Sequence, residues 1–533
     1  MGASQLVSSN KWLYALIAAW VFLGLVGHDP WKPDEAYTFG LVYHILQTGD
    51  WVVPTLAGEP FVEKPPLFFI TAAAFAKLFG WALPLHDAAR LASGFYAGLT
   101  LLLTALTARH LYGEKAAFPA ALLLVACLGY VIHAHLLITD NALVAGMAMG
   151  LYGFAISQTK SFLGGLLAGT GAGIAFLSKG LLGPGLLGLT AIALLAFPAW
   201  RKSAFLKSGL WATLAFAPWA LVWPWLLWRE SPTLFDEWLW VQNLGRFSGT
   251  HQIGGVPDHW HYVKALPWFA LPAWPIAAWS VYAFRKKILT AVEWQLPLVA
   301  FLVMFAVLSA SSLARQIYAM PMLLPLSVLA AGGIDSLPSW IRSPLDKAAA
   351  WGAGILALAI WGLWFAFLAG YAARLGASYV EFVPRVAPML LLPAIAITAG
   401  WIYFVRMNDL AVRWAAGITL VWGLAMTLWL PYLDYTKSYR GVIVDLQRSL
   451  PAGPGCITAR GLTEPQRAVF HYFAGIVKSE ETKDCPLLLL HTSSRKPPVL
   501  DPSWQLRWNG SRPGDDREYF WLFTSSAPRP GRP

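Results

Sequence analysis

Charge is what this sequence has least of. Of 533 residues only 13% are Asp, Glu, Lys or Arg, while 57% are hydrophobic. Soluble chains carry about 25% charged residues, so an ordinary soluble globular protein is excluded. Cysteine is scarce too. Three residues, Cys127, Cys456 and Cys485, are too few for a disulfide-built scaffold. No A-x-A-like cleavage site follows the first apolar run, Trp12–Gly27, so that run reads as an uncleaved first span. Soluble-type repeats and long low-complexity stretches are also missing.

What is present is a series of long apolar runs between Trp12 and Leu430, the pattern of a polytopic membrane protein. The 29 tryptophans fit interfacial belts or packing between helices. The formal net charge of +11 does not signal nucleic acid, because the basic residues sit mainly in short loops between apolar runs, where topology accounts for them. Basic loops at Arg109–Lys115, Lys160, Arg201–Lys207, Arg285–Lys287, Arg342–Lys347 and Arg406–Arg413 are assigned to the cytoplasm together with the N-terminus.

Leu67–Phe79 decides the count. Thirteen residues reach only about 20 Å as a helix, short of a ~30 Å hydrocarbon core. It therefore reads as an interfacial helix inside a long first external loop, 29–87. Thirteen spans result: 12–28, 88–108, 117–136, 142–157, 162–177, 181–198, 209–228, 264–284, 292–311, 318–333, 349–372, 387–405 and 414–431. The odd count leaves the C-terminus outside. The expected organisation is a transmembrane catalytic domain, 1–433, and a small external α/β domain, 434–533. There "GCITA", "CPLLLLHT" and "EYFWLFT" read as strands and "YRGVIVDLQRSL" as an amphipathic helix. Cys456 and Cys485 can bridge if that region meets an oxidising compartment; two free thiols stay open as the alternative.

On this topology the outer face gathers Lys32, Lys64, Lys179, Arg246, Arg315, Arg374 and Arg385 with Asp34, Glu35, Glu63 and Asp140. The orientation rule does not require those cations. Opposite charges at one interface suggest an anionic headgroup and acid–base work. Asp34–Glu35 come after the first span, where one carboxylate can serve as a base while the other supports a helix start. Lys64 stands before two prolines, which stiffen the chain, and an ammonium is a good point charge for phosphate; pairing with Glu63 or Asp34 is the plainer reading. Asp140 offers a second carboxylate or a helix cap. Arg246 can clamp a phosphate, Tyr318 can donate to one or anchor an interface, and Lys179 reads as a headgroup contact or a snorkelling cation. His251, His259 and His261 match no defended zinc spacing.

The block "PDEAY…LQTGDWVVPTLAGEPFVEKPPL" closely resembles the first external loop of bacterial 4-amino-4-deoxy-L-arabinose (lipid A) transferases, which group with protein O-mannosyltransferase-like, C-type membrane glycosyltransferases. "ITDNAL", "GRFSG" and "YAMPMLLPL" fall where that family has its second acidic loop, its Arg-Phe loop and its Tyr-x-x-Pro element. The resemblance implies a polytopic α-helical fold and sugar transfer from a polyprenyl-phosphate donor to an acceptor such as lipid A, on the periplasmic side of a bacterial inner membrane. It implies Asp34 and Asp140 as the acid pair, with Glu35 beside them. It implies Lys64, Arg246 and Tyr318 as phosphate ligands, near Glu63, Tyr37 and Arg315. Tyr37 stands where the family often has arginine, and Gln242–Asn243 where it often has Glu-His. No cofactor is required on this reading; a divalent cation on Glu63 and His251 stays open. A lipid-linked-sugar flippase is the alternative function.

Overall fold

In hydrocarbon every backbone N–H and C=O must be satisfied within the segment, so the apolar runs have to be helices. The computed structural model describes residues 3–245, 258–311, 314–371, 388–451, 456–476, 485–513, 515 and 517–525. Among them, six helices are long and apolar enough to cross a membrane: Leu85–Tyr112, Ser161–Lys179, Ser203–Glu230, Val292–Ala310, Gln316–Ser336 and Ser339–Leu368. Two bent pairs bring the number to eight. Shorter apolar helices are Lys11–Phe22, Leu67–Phe79, Leu182–Leu194 and Met389–Val405.

Several segments read as continuous in the sequence are broken. Residues 117–136 bend by 73° where Cys127 is extended between Glu114–Ala126 and Leu128–Ala134. Residues 414–431 bend by 62° between Leu410–Ala425 and Leu430–Lys437. Residues 264–284 divide into His261–Phe269 and Ala273–Ala283. Prolines supply a cause at the last two: Pro431 opens the second helix, and Pro272 immediately precedes Ala273. Helix α3 spans Leu67–Phe79, the bounds of the apolar run, after α1 (Ala3–Phe22), α2 (Asp34–Thr48) and a short hairpin of β1 (Thr55–Leu56) and β2 (Glu59–Pro60).

Two helices set the placement of Asp140 and Lys179. After α4 (Leu85–Tyr112), α5 (Ala117–Ala126) and α6 (Leu128–Ala134) come α7 (Asp140–Ser157) and α8 (Ser161–Lys179). A short turn makes α7 and α8 an antiparallel hairpin, so Asp140 and Lys179 lie at the same end. Their backbones touch: a Cβ on Gly153 would stand 2.6 Å from the Ala168 nitrogen, and one on Gly171 2.5 Å from the Gly146 oxygen. Small residues permit that approach, as they do between membrane helices generally.

The C-terminal region holds a four-stranded sheet in the order β3-β4-β6-β5 (Ile457–Arg460, Leu487–Thr492, Tyr519–Ser525 and Trp504–Ser511). β3 and β4 are parallel, with Ile457 opposite Leu487; β4–β6 and β5–β6 are antiparallel. Helices Arg440–Ser449 and Glu464–Ala474 pack on it through Ile443, Leu446 and Phe470 against Leu489, Phe520 and Leu522. Ala36 of α2 belongs to that same core. A disulfide joins Cys456 to Cys485, with Cα atoms 5.2 Å apart.

Candidate functional site

Asp34 and Glu35 open α2, favourably placed near the positive end of the helix dipole. Adjacent helical side chains diverge by about 100°, and these two go to different neighbours. Glu35 is 1% exposed. It accepts from Arg90 Nε at 2.9 Å, from the Leu137 amide at 2.9 Å and from the Trp31 amide at 3.3 Å. Burial alone would raise its pKa; the Arg90 charge and those donors outweigh it and hold the carboxyl below the ordinary value. The structure therefore does not bring Glu35 into the site with Asp34. Its bonds are spent on holding α2 to α4.

Arg90 is the centre of that knot. It is fully buried, binds Asp87 at 2.7 Å as well as Glu35, and donates to the carbonyls of Leu25, His28 and Asp29. A buried guanidinium is tolerable only when its donors are satisfied. Next to it, Asp29 is bound by Arg440, and by Ser438 Oγ at 2.6 Å. Burial opposes the Asp29 charge, yet the bonds from Arg440 and Ser438 keep its pKa below the usual aspartate value. Lys32 pairs with Asp515 and with Glu518, the latter at 3.1 Å, and Arg467 pairs with Glu59 of β2. Ion pairs thus tie the C-terminal region to the first loop at three points.

Asp34 stays partly open. Its Oδ1 accepts from the Tyr37 hydroxyl at 3.0 Å, and Lys64 Nζ donates to that same phenol oxygen. The ammonium also lies over the Tyr37 ring, 4.8 Å from its centroid. Burial pushes the Lys64 pKa down, but Tyr37, Glu63, Asp140 and Asp34 outweigh it and raise it above the ordinary lysine value. The Tyr37 phenol is pushed up in turn, chiefly by burial. Lys64 is a firm cation and Tyr37 a firm hydroxyl.

Asp140 arrives from the other side. It is not the cap of α7: Thr139 occupies that position, and its side chain makes no capping bond. The Asp140 carboxylate is 3% exposed and pairs with Lys179 at the end of α8. The Lys179 ammonium lies 4.4 Å from the Tyr318 ring centroid. His133 of α6 is within electrostatic reach of Asp140, Asp34 and Lys179. The structure thus gathers Asp34, Tyr37, Glu63, Lys64, Asp140 and Tyr318. It adds Lys179, which the sequence offers only as a headgroup contact or a snorkelling cation, and His133, which the sequence does not single out. The signal for His133 is weak, one of two histidines, with His135, in an apolar run. Arg315 is exposed, and its carbonyl accepts from Tyr262 at 3.3 Å. Arg246, His251, Arg374 and Arg385 lie outside the described residues.

Among the described residues, no group of three His, Cys, Asp or Glu side chains could hold a metal ion. The chemistry on view is that of two ammoniums, each leaning on a tyrosine and matched to a carboxylate. An incoming anion that takes the Lys179 ammonium releases Asp140 from its ion pair; one that takes Lys64 displaces the Tyr37 hydroxyl that links it to Asp34.

Residues 63–228 match the family model described as dolichyl-phosphate-mannose-protein mannosyltransferase. The chain is 27% identical over 430 residues to the undecaprenyl phosphate-alpha-4-amino-4-deoxy-L-arabinose arabinosyl transferase of Serratia proteamaculans, covering 77% of this chain and 74% of that one. It is 24% identical over 448 residues to the protein of that name in Aeromonas hydrophila, covering 79% and 78%. In three dimensions it is similar to ArnT from Cupriavidus metallidurans crystallised with undecaprenyl phosphate: TM-score 0.71, 18% identity, 98% of both chains covered. The apo crystal structure of ArnT from the same organism gives 0.67. The chain thus resembles the aminoarabinose transferases in sequence and shares the ArnT fold.

Proposed function

We propose that this chain is a membrane glycosyltransferase that moves a sugar of the aminoarabinose type from a polyprenyl-phosphate donor to an acceptor such as lipid A. One observation carries the reading: Lys64, Lys179, Asp34 and Asp140 converge from four separate segments. The names of its relatives support the same class.

The donor phosphate rests on Lys64 and Tyr318, and Arg246 is the further phosphate ligand that the family resemblance implies. The bond between the sugar C1 and the phosphate oxygen breaks, and its electron pair leaves with the polyprenyl phosphate. Lys64 stabilises the charge that develops there. The acceptor oxygen bonds to C1 from the opposite face, giving inversion. If the acceptor is a hydroxyl, its proton passes to Asp34. If it is a phosphate of lipid A, no base is needed, and Asp34 and Asp140 face the positive charge that grows on the sugar ring. Tyr37 orients the Asp34 carboxylate.

The domain reading goes with this: thirteen spans in a bacterial inner membrane, and the site and a C-terminal domain on the periplasmic side. The Cys456–Cys485 bridge supports an oxidising compartment for that domain. A flippase would need ionisable groups along a path through the bilayer, and the charged groups of the site gather at one end instead.

The test is sugar transfer from a synthetic polyprenyl-phosphate donor by purified protein. Asp34→Asn and Lys64→Ala are expected to lower kcat/KM by at least ~10²-fold each, the scale of a lost general base or charge stabiliser, with folding retained. Full activity in both variants removes the site assignment. Translocation of donor without transfer favours the flippase.

A further inference from the structure

Asn243 stands outside the group of charged side chains, yet it grips the main chain next to Lys179. Lys179 is the last residue of α8, and Gly180 and Leu181 turn the chain into helix Leu182–Leu194. Asn243 Oδ1 accepts from the Leu181 amide at 3.3 Å, and its Nδ2 donates to the Trp238 carbonyl at 2.8 Å. The side-chain amide thus uses its acceptor and its donor at once, both on main-chain partners. Gly180 has φ +68°, and a Cβ there would overlap the Asn243 amide oxygen. Glycine supplies both that backbone conformation and that close approach.

The segment that carries Asn243 is itself fixed. Residues Glu237–Gly245 form a π-helical stretch, a geometry that is rare and frequent at functional sites. Trp238 is buried there, its ring centroid 5.0 Å from that of Trp223 and 6.0 Å from that of Phe176. Phe176 lies one turn before Lys179 in α8. Trp223 Nε1 donates to the Val52 carbonyl at 3.0 Å, and the same apolar cluster takes in Val62, just ahead of Lys64 in the first loop. Lys179 is therefore held on both sides, by Trp238 on Phe176 behind it and by Asn243 on Gly180 and Leu181 ahead of it. A lysine is a point charge on a flexible stem. Fixing its backbone is what lets the ammonium meet Asp140 and the Tyr318 ring together.

We infer that Asn243 is a positioning residue: it fixes the turn after Lys179 so that the ammonium, beside Tyr318, meets the donor phosphate. The inference rests on the reading of this site as one for a polyprenyl phosphate. Asn243 acts through Lys179. A contact to the phosphate that exists before and after the sugar departs adds to donor binding more than to the chemical step, so its loss belongs in KM.

The test measures binding of undecaprenyl phosphate to the full chain in detergent, together with KM and kcat for transfer from a synthetic polyprenyl-phosphate donor. Asn243→Ala is expected to weaken undecaprenyl phosphate binding and to raise donor KM, each about tenfold, the scale of one hydrogen bond to a charged group. kcat is expected to stay within about twofold of wild type. In the Asp140→Leu, Lys179→Met double variant there is no ammonium to position, and adding Asn243→Ala is expected to change binding no further. A fall in kcat at unchanged KM, the mark of a partly inactive sample, overturns the inference. So does an equal loss of binding with and without Lys179, which would make Asn243 merely structural. If Asn243→Ala fails to fold, Asn243→Leu, which keeps the volume and removes both polar atoms, decides by the same measurements. Wild-type binding that Asn243→Ala leaves unchanged overturns this inference alone. Wild-type protein that binds no undecaprenyl phosphate overturns the functional reading and this inference with it.

Discussion

The hydroxyl of Tyr37 donates to Asp34 at 3.0 Å while accepting from Lys64, so one phenol links the proposed base to the proposed phosphate cation. Tyr37→Phe removes that oxygen and keeps the ring against Phe61, 5.6 Å away. A hydrogen bond to a charged group is worth about 1.5–3 kcal/mol, so kcat should fall roughly 10–100-fold. KM for donor should move less. Steady-state kinetics on the purified variant check this; an unchanged kcat removes Tyr37 from the mechanism.

Asp140 and Lys179 form a buried pair, with side chains 4% and 12% exposed. Lys179→Met leaves a carboxylate without its partner and should cost about 3–5 kcal/mol of stability. Adding Asp140→Leu should restore most of that stability but no transfer. Thermal unfolding and activity of the single and double variants separate the two effects. Activity in the double variant would mean that the pair is only structural.

Helix Glu464–Ala474 docks on α2 near two histidines. Burial depresses the pKa of His44, with Asp50 acting against it; burial and then the His44 charge depress that of His471. Depressed pKa values mean that the folded state prefers both rings neutral. Their contribution is present above the unfolded value of about 6.5 and is lost as pH falls through the lower folded values. Protection of residues 464–474 against hydrogen exchange, relative to the intrinsic rate at each pH, should therefore fall as the pH drops below about 6.5. His471→Gln should flatten that response.

The Cys456–Cys485 bridge closes a loop with a sequence separation of 29 residues. In the chain-entropy account that is about 3–4 kcal/mol. Cys456→Ser with Cys485→Ser should make the C-terminal region more sensitive to protease by a corresponding shift in denaturant midpoint, leaving the membrane helices intact.

Much of the fold is legible from residue order. Helix α3 keeps the bounds of the apolar run Leu67–Phe79, because prolines precede it and Gly80 comes after. Three of the four C-terminal strands stand where β-rich apolar runs suggest them. β5 is not legible, since "WQLRWNGS" is largely exposed and lacks a sustained apolar alternation. Helix Glu464–Ala474 escapes the periodicity too, although Thr463 and Gln466 form a capping box with proline in the first turn. The break at Cys127 leaves no mark in an unbroken hydrophobic run. Of the site, the motif loop names Asp34, Lys64 and Tyr37. The Asp140–Lys179 pairing depends on the α7–α8 hairpin, and the Arg90 knot on partners scattered from Leu25 to Leu137. An arginine beside an apolar span is nonetheless a flag that residue type alone raises.

Asp34 and Glu35 are chain neighbours with separate loyalties, one bound by the Tyr37 hydroxyl and the other clasped by Arg90. The proposed base consequently inherits its coordinates from the residue next to it. Selection acting to retune the chemistry at the first has to leave the second untouched, which makes this dipeptide a place where catalysis and architecture must change together or not at all.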